Sequence, residues 1–268
     1  MMNTYDHLPL PVYQANVQRQ TRGGGGRYKP PEGRNRSTFS QETAQKADAI
    51  TSSFQSIRRS FSGNINPSLI YEIEINQTIN YDSFEKILSS MGIHVLSVAE
   101  NKKGYWVVFS DDENLAKFKQ KLETYGSGQG PKYDFFDAIN SLRDIPREEK
   151  IGEGLQETPL GDSPEFIDIE LWRMVDQRRN ETFINELKQT YPDATKFRIT
   201  DTLITKSFVL IRVKLTGSVF DEIIDLKEIA RAVRPSIPIF NAFEYQHIDV
   251  SGLTLTPPDE NAVGILVI

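Results

Sequence analysis

The chain has 268 residues, of which 38% are apolar and 25% charged, enough for one large or two small globular domains with some residues left over. The absence of cysteine excludes disulfide bonds and thiolate metal sites. The formal charge of −6 divides unevenly: residues 1–65 hold nine Lys and Arg against four Asp and Glu (net +5), and residues 66–268 hold 22 against 33 (net −11). A basic arm therefore precedes an acidic body, whose charge opposes binding to phosphate backbones.

The N-terminus does not have the composition of a secretory signal. Asp6, Arg19, Arg22 and a glycine run lie where a signal peptide needs an apolar core. No later segment has the length and apolar composition of a membrane span. We therefore expect a cytoplasmic protein with no membrane partner.

The first 65 residues divide into an arm and a helix. Residues 1–39 combine prolines with the segment RGGGGR at 22–27, a mixture that breaks helices and strands and buries little, so we predict a disordered basic arm. For residues 40–65 we predict an amphipathic helix that Ser40 caps and that runs from 41 to 61. Apolar residues recur along it at three- and four-residue spacing: Ala44, Ala47, Ile50, Phe54, Ile57 and Phe61.

Residues 66–145 carry the pattern of a first α+β module. Alternating apolar and polar residues indicate strands, and apolar residues three or four apart indicate helices. The predicted order is a strand (69–75), a helix from Asp82, two strands (93–99 and 105–109), a helix (112–125) and a short helix (133–142).

A second module with the same order is predicted over 165–235. Residues 146–164, between the modules, collect proline, glycine and acidic residues, as is typical of a linker. The predicted elements of the second module are a strand (166–171), a helix (180–191), paired strands (196–200 and 207–215), a helix (219–229) and a closing edge strand (230–234).

The repeated order predicts an α+β fold of two tandem ferredoxin-like modules with split βαββαβ topology. Right-handed crossovers place both helices of such a module on one face of an antiparallel sheet. The opposite face of each sheet is then available for docking.

The sequence contains no recognisable catalytic, cofactor or metal motif. His7, His94 and His247 lack a nearby Gly-flanked serine of the nucleophile-elbow type. The acidic residues 111–113 suit a helix start and lack the spaced ligands of a calcium loop. The glycine run at 22–27 has neither the preceding strand nor the following Lys-Ser or Lys-Thr of a phosphate loop. We predict no catalytic residue, no cofactor and no metal site.

The segment KGYWVVF at 103–109 supports an alternative interpretation, because an RNA-recognition motif is also a βαββαβ module with a Lys-Gly-aromatic strand. The match is partial, since Trp106 stands in place of a small residue, and Val107 and Ser110 in place of aromatic residues. The alternative is a stand-alone tandem binding module whose basic arm at 19–36 attracts nucleic acid. We expect nucleic acid not to be the partner.

Several motifs resemble one protein family. The terminal VGILVI at 263–268, preceded by PPDENA at 257–262, looks like the first core strand of the catalytic domain of subtilisin-like serine proteases (subtilases), which in the family runs into Asp-Ser-Gly. Further segments are similar to intracellular bacterial subtilases that are often encoded beside an AAA ATPase: HLPLP at 7–11, the tetraglycine arm, DIELW at 168–172, and IAR at 229–231 followed by Arg234-Pro235. The resemblance covers essentially the whole chain.

The resemblance implies the region that precedes a subtilase catalytic domain. Subtilase propeptides resemble ferredoxin-like units whose sheet packs on the protease, so a role in folding, inhibition or partner recruitment is expected. The implied partners are the subtilase catalytic domain and an AAA ATPase. Residues 236–268 would then be an extended linker and the first strand of a truncated subtilase domain. Because the Asp, His and Ser triad of the family is missing, the chain should be inactive alone.

The resemblance bears on the two modules and on the segment that follows the second one. The family normally has one propeptide module, so the role of each of the two modules stays open. The resemblance also implies that the segment after the second module occupies the protease cleft before cleavage. The candidate cleft residues are Arg234, Ile237, Ile239, Phe240, Phe243 and Tyr245.

Overall fold

A computed structural model describes residues 28–61, 65–75, 79–98, 104–111, 115–129 and 133–235. These residues form a long N-terminal helix followed by two four-stranded sheets with their associated helices. Within these ranges, no helix combines the length and the apolar composition that crossing a bilayer requires.

The N-terminal helix, α1, covers Arg36–Ser60 and begins earlier than predicted. Its cap is Asn35, whose side chain accepts a hydrogen bond from the Thr38 amide at 3.1 Å. Ser40, the predicted cap, lies inside the helix, and its hydroxyl donates to the Leu122 carbonyl at 2.8 Å. The Ser40 prediction is wrong because the asparagine upstream already satisfies a first-turn amide.

The first module has the split βαββαβ order. Its sheet has the strand order β2-β3-β1-β4, and every neighbouring pair is antiparallel. The elements are β1 (Leu69–Ile75), α2 (Tyr81–Ser89), β2 (Ile93–Ser97), β3 (Gly104–Ser110), α3 (Ala116–Ser127), a 3₁₀ helix (Asp134–Ala138) and β4 (Ile139–Arg143).

The short helix predicted over 133–142 is a 3₁₀ helix in its first half, and the closing strand β4 takes the place of its second half. It pairs with β1, so that Leu142 lies opposite Ile73 and Ile139 opposite Ile75. The helix prediction is wrong for this second half, because the apolar residues of the segment are spaced three and four apart, which also fits a 3₁₀ helix followed by a strand. Pairing with β1 determines whether a helix or a strand forms here, and the local sequence pattern does not indicate this pairing.

The segment predicted as a linker, 146–164, contains two short helices, α4 (Arg147–Lys150) and α5 (Glu153–Glu157). Between them Ile151 forms a parallel bridge with Ala232, and the Gly152 amide donates to the Ala232 carbonyl at 2.9 Å. A β-carbon on Gly152 would come within 2.7 Å of a Val233 methyl carbon, so a side chain there would force a shift. The segment therefore packs on the second module.

The second module repeats the topology of the first. Its sheet order is β6-β7-β5-β8, again with antiparallel neighbours. The elements are β5 (Glu165–Leu171), α6 (Gln177–Thr190), β6 (Phe197–Ile204), β7 (Val209–Leu215), α7 (Gly217–Ile223) and β8 (Ile229–Val233). The prediction of tandem ferredoxin-like modules is confirmed, because both sheets have the order 2-3-1-4 in their own strands.

Helix α7 is shorter than the predicted helix over 219–229. It ends at Ile223, the chain turns, and Ile229 already belongs to β8. The buried ammonium group of Lys150 donates to the carbonyls of Ile224 and Leu226 at 3.1 and 2.9 Å. These bonds satisfy carbonyl groups that a continued helix would have bonded internally.

Each module has its own apolar core, and α1 contributes to both. Phe54 is buried in the core of the first module with residues of its sheet and helices. Ile57 and Phe61, at the C-terminal end of α1, pack against the core of the second module. Ile65, which follows the helix, is fully buried in that second core. Helix α1 and its extension therefore tie the two modules together.

Candidate functional site

The outer faces of the two sheets, meaning the faces opposite the helices, differ in exposure. In the first module Ile70, Val107 and Phe109 occupy this face and are buried against Met174. Trp172 packs on the same cluster. Because Trp172 and Met174 follow β5, the second module covers part of the first module's sheet. The prediction of a free face on each sheet is therefore wrong for the first module.

The loop that follows β5 and contains Trp172 and Met174 covers the first sheet, and we call it the covering loop. The buried amide side chain of Asn180 holds this loop in place. The Asn180 carbonyl oxygen accepts from the Met174 amide at 3.0 Å, and the Asn180 amino group donates to the Trp172 carbonyl at 2.8 Å. The Trp172 amide donates to the Glu228 carbonyl at 2.9 Å. This loop is thus positioned from α6 on one side and from the start of β8 on the other.

The second module keeps an open outer face. Phe166 is 48% exposed on β5, and Leu203 is 51% exposed on β6. Between them the Arg212 guanidinium group donates twice to the Asp168 carboxylate, at 2.7 and 2.9 Å. The Lys214 ammonium group lies 5.6 Å from the centre of the Phe166 ring. Apolar, cationic and anionic groups are therefore mixed across this face.

A cavity of about 370 Å³ opens between the two modules, and we call it the seam cavity. Phe54, Leu69 and Phe109 of the first module form apolar parts of its wall. The N-terminal part of α6 and Glu228 supply the wall from the second module. The seam cavity is thus bounded by elements of both modules.

Glu228 is the buried acid of this cavity, since only 3% of its surface is exposed. Its Oε1 atom accepts a short hydrogen bond from the Ser68 amide, whereas Oε2 has no hydrogen-bond partner in the described part of the chain. Burial raises the pKa of the Glu228 carboxyl group to about 7, although the Ser68 amide and the Lys150 charge act in the opposite direction. Glu228 therefore changes charge near neutral pH.

Asp111 forms the other acidic edge of the seam cavity. One oxygen accepts from the Arg179 guanidinium group at 3.0 Å, and the other lies 2.9 Å from Nε2 of His94. The Arg179 guanidinium carbon is also 4.4 Å from the centre of the Phe109 ring. Asp111 and Arg179 together form an ion pair that joins the modules.

A second buried charge cluster lies near the end of α7. The Lys227 ammonium group donates to both Asp144 oxygens, at 2.5 and 2.6 Å, and the Ser53 hydroxyl donates to the same carboxylate at 2.8 Å. Burial and the neighbouring Lys227 charge lower the pKa of Lys150 to about 8. Because Lys150 already donates to two carbonyls, it serves as a cap for the chain after α7.

Each of the two modules matches a known protein domain in sequence comparison. Residues 37–146 match the Y4kK N-terminal domain, and residues 149–233 match the Y4kK central domain. The first module is thus similar to one Y4kK domain and the second module to another. The uncharacterized protein y4kK of Sinorhizobium fredii (strain NBRC 101917 / NGR234) is 24% identical over 250 residues, which cover 88% of this chain and 76% of that protein. No solved structure matches the chain.

Among the candidate cleft residues, Arg234 directly follows the segment that matches the Y4kK central domain. Its guanidinium group donates to the Glu165 carboxylate at 3.2 Å and to the Thr158 carbonyl at 2.7 Å, and it also bonds the Gly154 carbonyl. The other candidates lie outside the described residues: Ile237, Ile239, Phe240, Phe243 and Tyr245.

The RNA-binding alternative depends on the outer face of β3 in the Y4kK N-terminal domain. Trp106 points into the core and is buried, and Phe109 is buried under the covering loop. Tyr105 is partly exposed, but the Arg143 guanidinium carbon lies 3.7 Å from its ring centre. A stacking platform for bases is therefore not open on this strand.

Sequence reasoning missed the charged residues at the junction of the two Y4kK domains. Glu228 and Lys227 were included in a predicted helix, and Lys150 in a predicted linker. One signal was present in the sequence, because Lys227 and Glu228 are flanked by Leu226 and Ile229 in an apolar surrounding. A charged pair inside an apolar run indicates buried charges that need partners.

Proposed function

We propose that the chain is the non-catalytic, propeptide-like region of a subtilisin-like serine protease and that it works in the cytoplasm. The observation that supports this is the open outer face of the second module, which directly precedes residues 236–268. The terminal motif of those residues resembles the first core strand of a subtilase catalytic domain. An open face on a ferredoxin-like sheet is the surface that subtilase propeptides, by resemblance, pack on their proteases.

The two modules have different roles in this proposal. The second module docks on the protease, because Phe166 and Leu203 offer apolar contacts and the Asp168–Arg212 pair offers charge complementarity. The first module holds the second one in place, because its own outer face is already partly covered by Trp172 and Met174. Recruitment of an AAA ATPase would then fall to the remaining surface of the first module.

The candidate cleft segment continues from a fixed point. Arg234 is tied to Glu165 and to the segment containing Thr158, so the end of β8 is held against β5. We expect the stretch with Ile237, Ile239, Phe240, Phe243 and Tyr245 to extend from this point into the protease cleft. The sequence lacks the family's His-Gly-Thr and Gly-Thr-Ser regions, so the chain alone should not hydrolyse peptides.

An inhibition assay tests the proposal. The full 268-residue chain is added to the purified catalytic domain of a subtilase encoded in the same genome, and hydrolysis of a chromogenic peptide is followed. Saturable inhibition, or recovery of activity when the denatured protease refolds with the chain present, is the expected result. Failure of both, with a correctly folded chain, would remove the support for a propeptide-like role.

Matched variants identify the docking face. The changes Phe166→Ser and Leu203→Ser remove exposed apolar side chains from the outer face of the second module and should weaken inhibition. Val175→Ser is the control, because Val175 is 70% exposed but lies outside the sheet. Equal loss of inhibition in all three variants would show that this face is not the specific docking surface.

The nucleic-acid alternative receives no support from a specific contact in the described residues, because the β3 face is covered. The basic arm at 19–36 is the feature that would carry such binding. Retention of the chain on single-stranded RNA, with a strong salt dependence that neutralising Arg19 and Arg22 removes, would favour it over the propeptide role.

A further inference from the structure

We propose that the covering loop is a strap that closes the outer face of the first sheet, and that loss of the proton from the Glu228 carboxyl group loosens it. The proposal does not rest on the protease role. It rests on the position of Glu228 between the loop and the first module, on the buried polar atoms that the closed junction leaves without partners, and on the apolar face under the loop.

Glu228 connects the covering loop with the first module. Its main-chain carbonyl accepts a hydrogen bond from the Trp172 amide of the loop at 2.9 Å. Its carboxyl oxygen Oε1 accepts a short hydrogen bond from the amide of Ser68, the residue directly before β1. Because both bonds end on one residue, a shift of Glu228 affects the covering loop and the start of β1 together.

The closed junction leaves two buried polar atoms without a hydrogen-bond partner among the described residues. They are Oε2 of Glu228 and Nε1 of Trp172, and both have almost no accessible surface. Water therefore does not solvate Oε2 in the closed state. A carboxylate in this position costs more than a protonated carboxyl group, because an unsolvated charge is harder to bury than a neutral group. Ionisation of Glu228 thus disfavours the closed junction.

The face under the covering loop corresponds to the open outer face of the second module. Ile70 lies opposite Phe109 in the pairing of β1 with β3, and both are buried against Met174. At the same positions of the second module, Phe166 lies opposite Lys214, and both are exposed. Opening of the loop would therefore uncover an apolar patch, a surface that monomeric domains rarely expose over a large area.

The closed state should weaken as the pH rises through neutrality. Burial raises the pKa of the Glu228 carboxyl group from its ordinary value of 4.5 to about 7, although the Lys150 charge acts in the opposite direction. Closure therefore takes up a proton, and this contribution is full below about pH 4.5 and lost as the pH rises through about 7. Other charged groups line the junction or lie close to it: Asp111, Asp176, Glu186, Arg178, Arg179, His94, Lys150 and Lys227.

Oxidation of methionine by hydrogen peroxide, located by mass spectrometry of peptides from the full chain, tests the proposal. Met174 is buried under the first sheet, and Met91, buried in the core of the first module, is the internal control. The Met174 rate should rise about tenfold from about pH 6 to about pH 8, and the Met91 rate should stay within about twofold. A Met174 rate that does not rise, or that rises together with the Met91 rate, would overturn the proposal.

Isosteric variants identify the group responsible. Glu228→Gln keeps the side-chain shape but cannot ionise, so its Met174 rate should change by less than about twofold over the same pH range. Glu186→Gln removes another carboxylate that lines the seam cavity and should keep the tenfold change of the wild type. Circular dichroism verifies that both variants are folded. A tenfold change that persists in folded Glu228→Gln would assign the effect to another charged group and contradict the proposal.

If Glu228→Gln does not fold, the wild-type chain decides. Carbon NMR of the chain labelled at glutamate gives the midpoint of the Glu228 ionisation, and the oxidation series gives the pH at which the Met174 rate stops rising. Agreement within about one pH unit is expected, because the same proton controls both. A larger separation would contradict the assignment to Glu228.

Discussion

At the scale of single residues, Glu228 links folding to pH. Its pKa is about 7 in the folded chain and near 4.5 when unfolded, so folding takes up a proton between these values. The contribution of Glu228 to stability is therefore full at about pH 4.5 and below, and it is lost as the pH rises through about 7. Above that pH the folded chain must bury an ionised carboxylate with an unpartnered oxygen.

We therefore expect Glu228→Gln to be more stable than the wild type by about 1–3 kcal/mol at about pH 8, with little difference at about pH 5. Urea unfolding at the two pH values measures the change. Lys150 has a lowered pKa of about 8, so its own stability trend lies mainly above this interval. A difference that is constant with pH would show that Glu228 has the same charge in both states.

At the scale of elements, α1 is fixed by its apolar stripe. Phe54 is buried in the first core, and its replacement removes a large side chain that the rigid surroundings cannot replace. We expect Phe54→Ala to lower the free energy of unfolding by about 3–5 kcal/mol. Chemical denaturation checks this, and the exposed Ser52→Ala is the control. A loss no greater than that of the control would mean that α1 does not dock in solution.

The elements also show which parts of the fold a local sequence pattern can predict. The stripe of α1 was predictable, because Ala47, Ile50 and Phe54 repeat at helical spacing and all three are buried. Strand β4 was not, since its apolar spacing fits two structures and its partner β1 is distant in sequence. Strands β3 and β7 differ in their hydrophobic pattern. Residues 105–109 are apolar throughout, which indicates burial on both faces, whereas VLIRVKL at 209–215 alternates at its C-terminal end and leaves one face open.

At the scale of the whole molecule, the sequence predicted the two modules but not their association. The repeated order of elements is local information and gave the correct fold for both modules. The second module covers the first sheet through Met174, whose amide donates a hydrogen bond to Asn180. Both residues are distant in sequence from β1 and β3. The seam cavity and its charged lining result from that association, so no sequence motif in either module predicts them.

Shared packing predicts cooperative unfolding of the two modules. The chain has two tryptophans: Trp106 reports on the core of the first module, and Trp172 on the loop that covers its sheet. We expect fluorescence and far-ultraviolet circular dichroism to give coincident urea transitions for the wild type. Met174→Ser removes a buried contact of the junction and should separate the two curves. Separate transitions in the wild type would mean that the modules unfold independently.

The position of Ile65 in the second core has a consequence for the order of synthesis. Ile57, Phe61 and Ile65 leave the ribosome long before β8, which completes the core that buries them. About 160 residues separate Ile65 from Ile229, so at about 5–20 residues per second these side chains wait for about 10–30 s. During that time the nascent chain exposes an apolar segment that suits a chaperone. Docking of the C-terminal end of α1 is thus completed only after β8 has been synthesised.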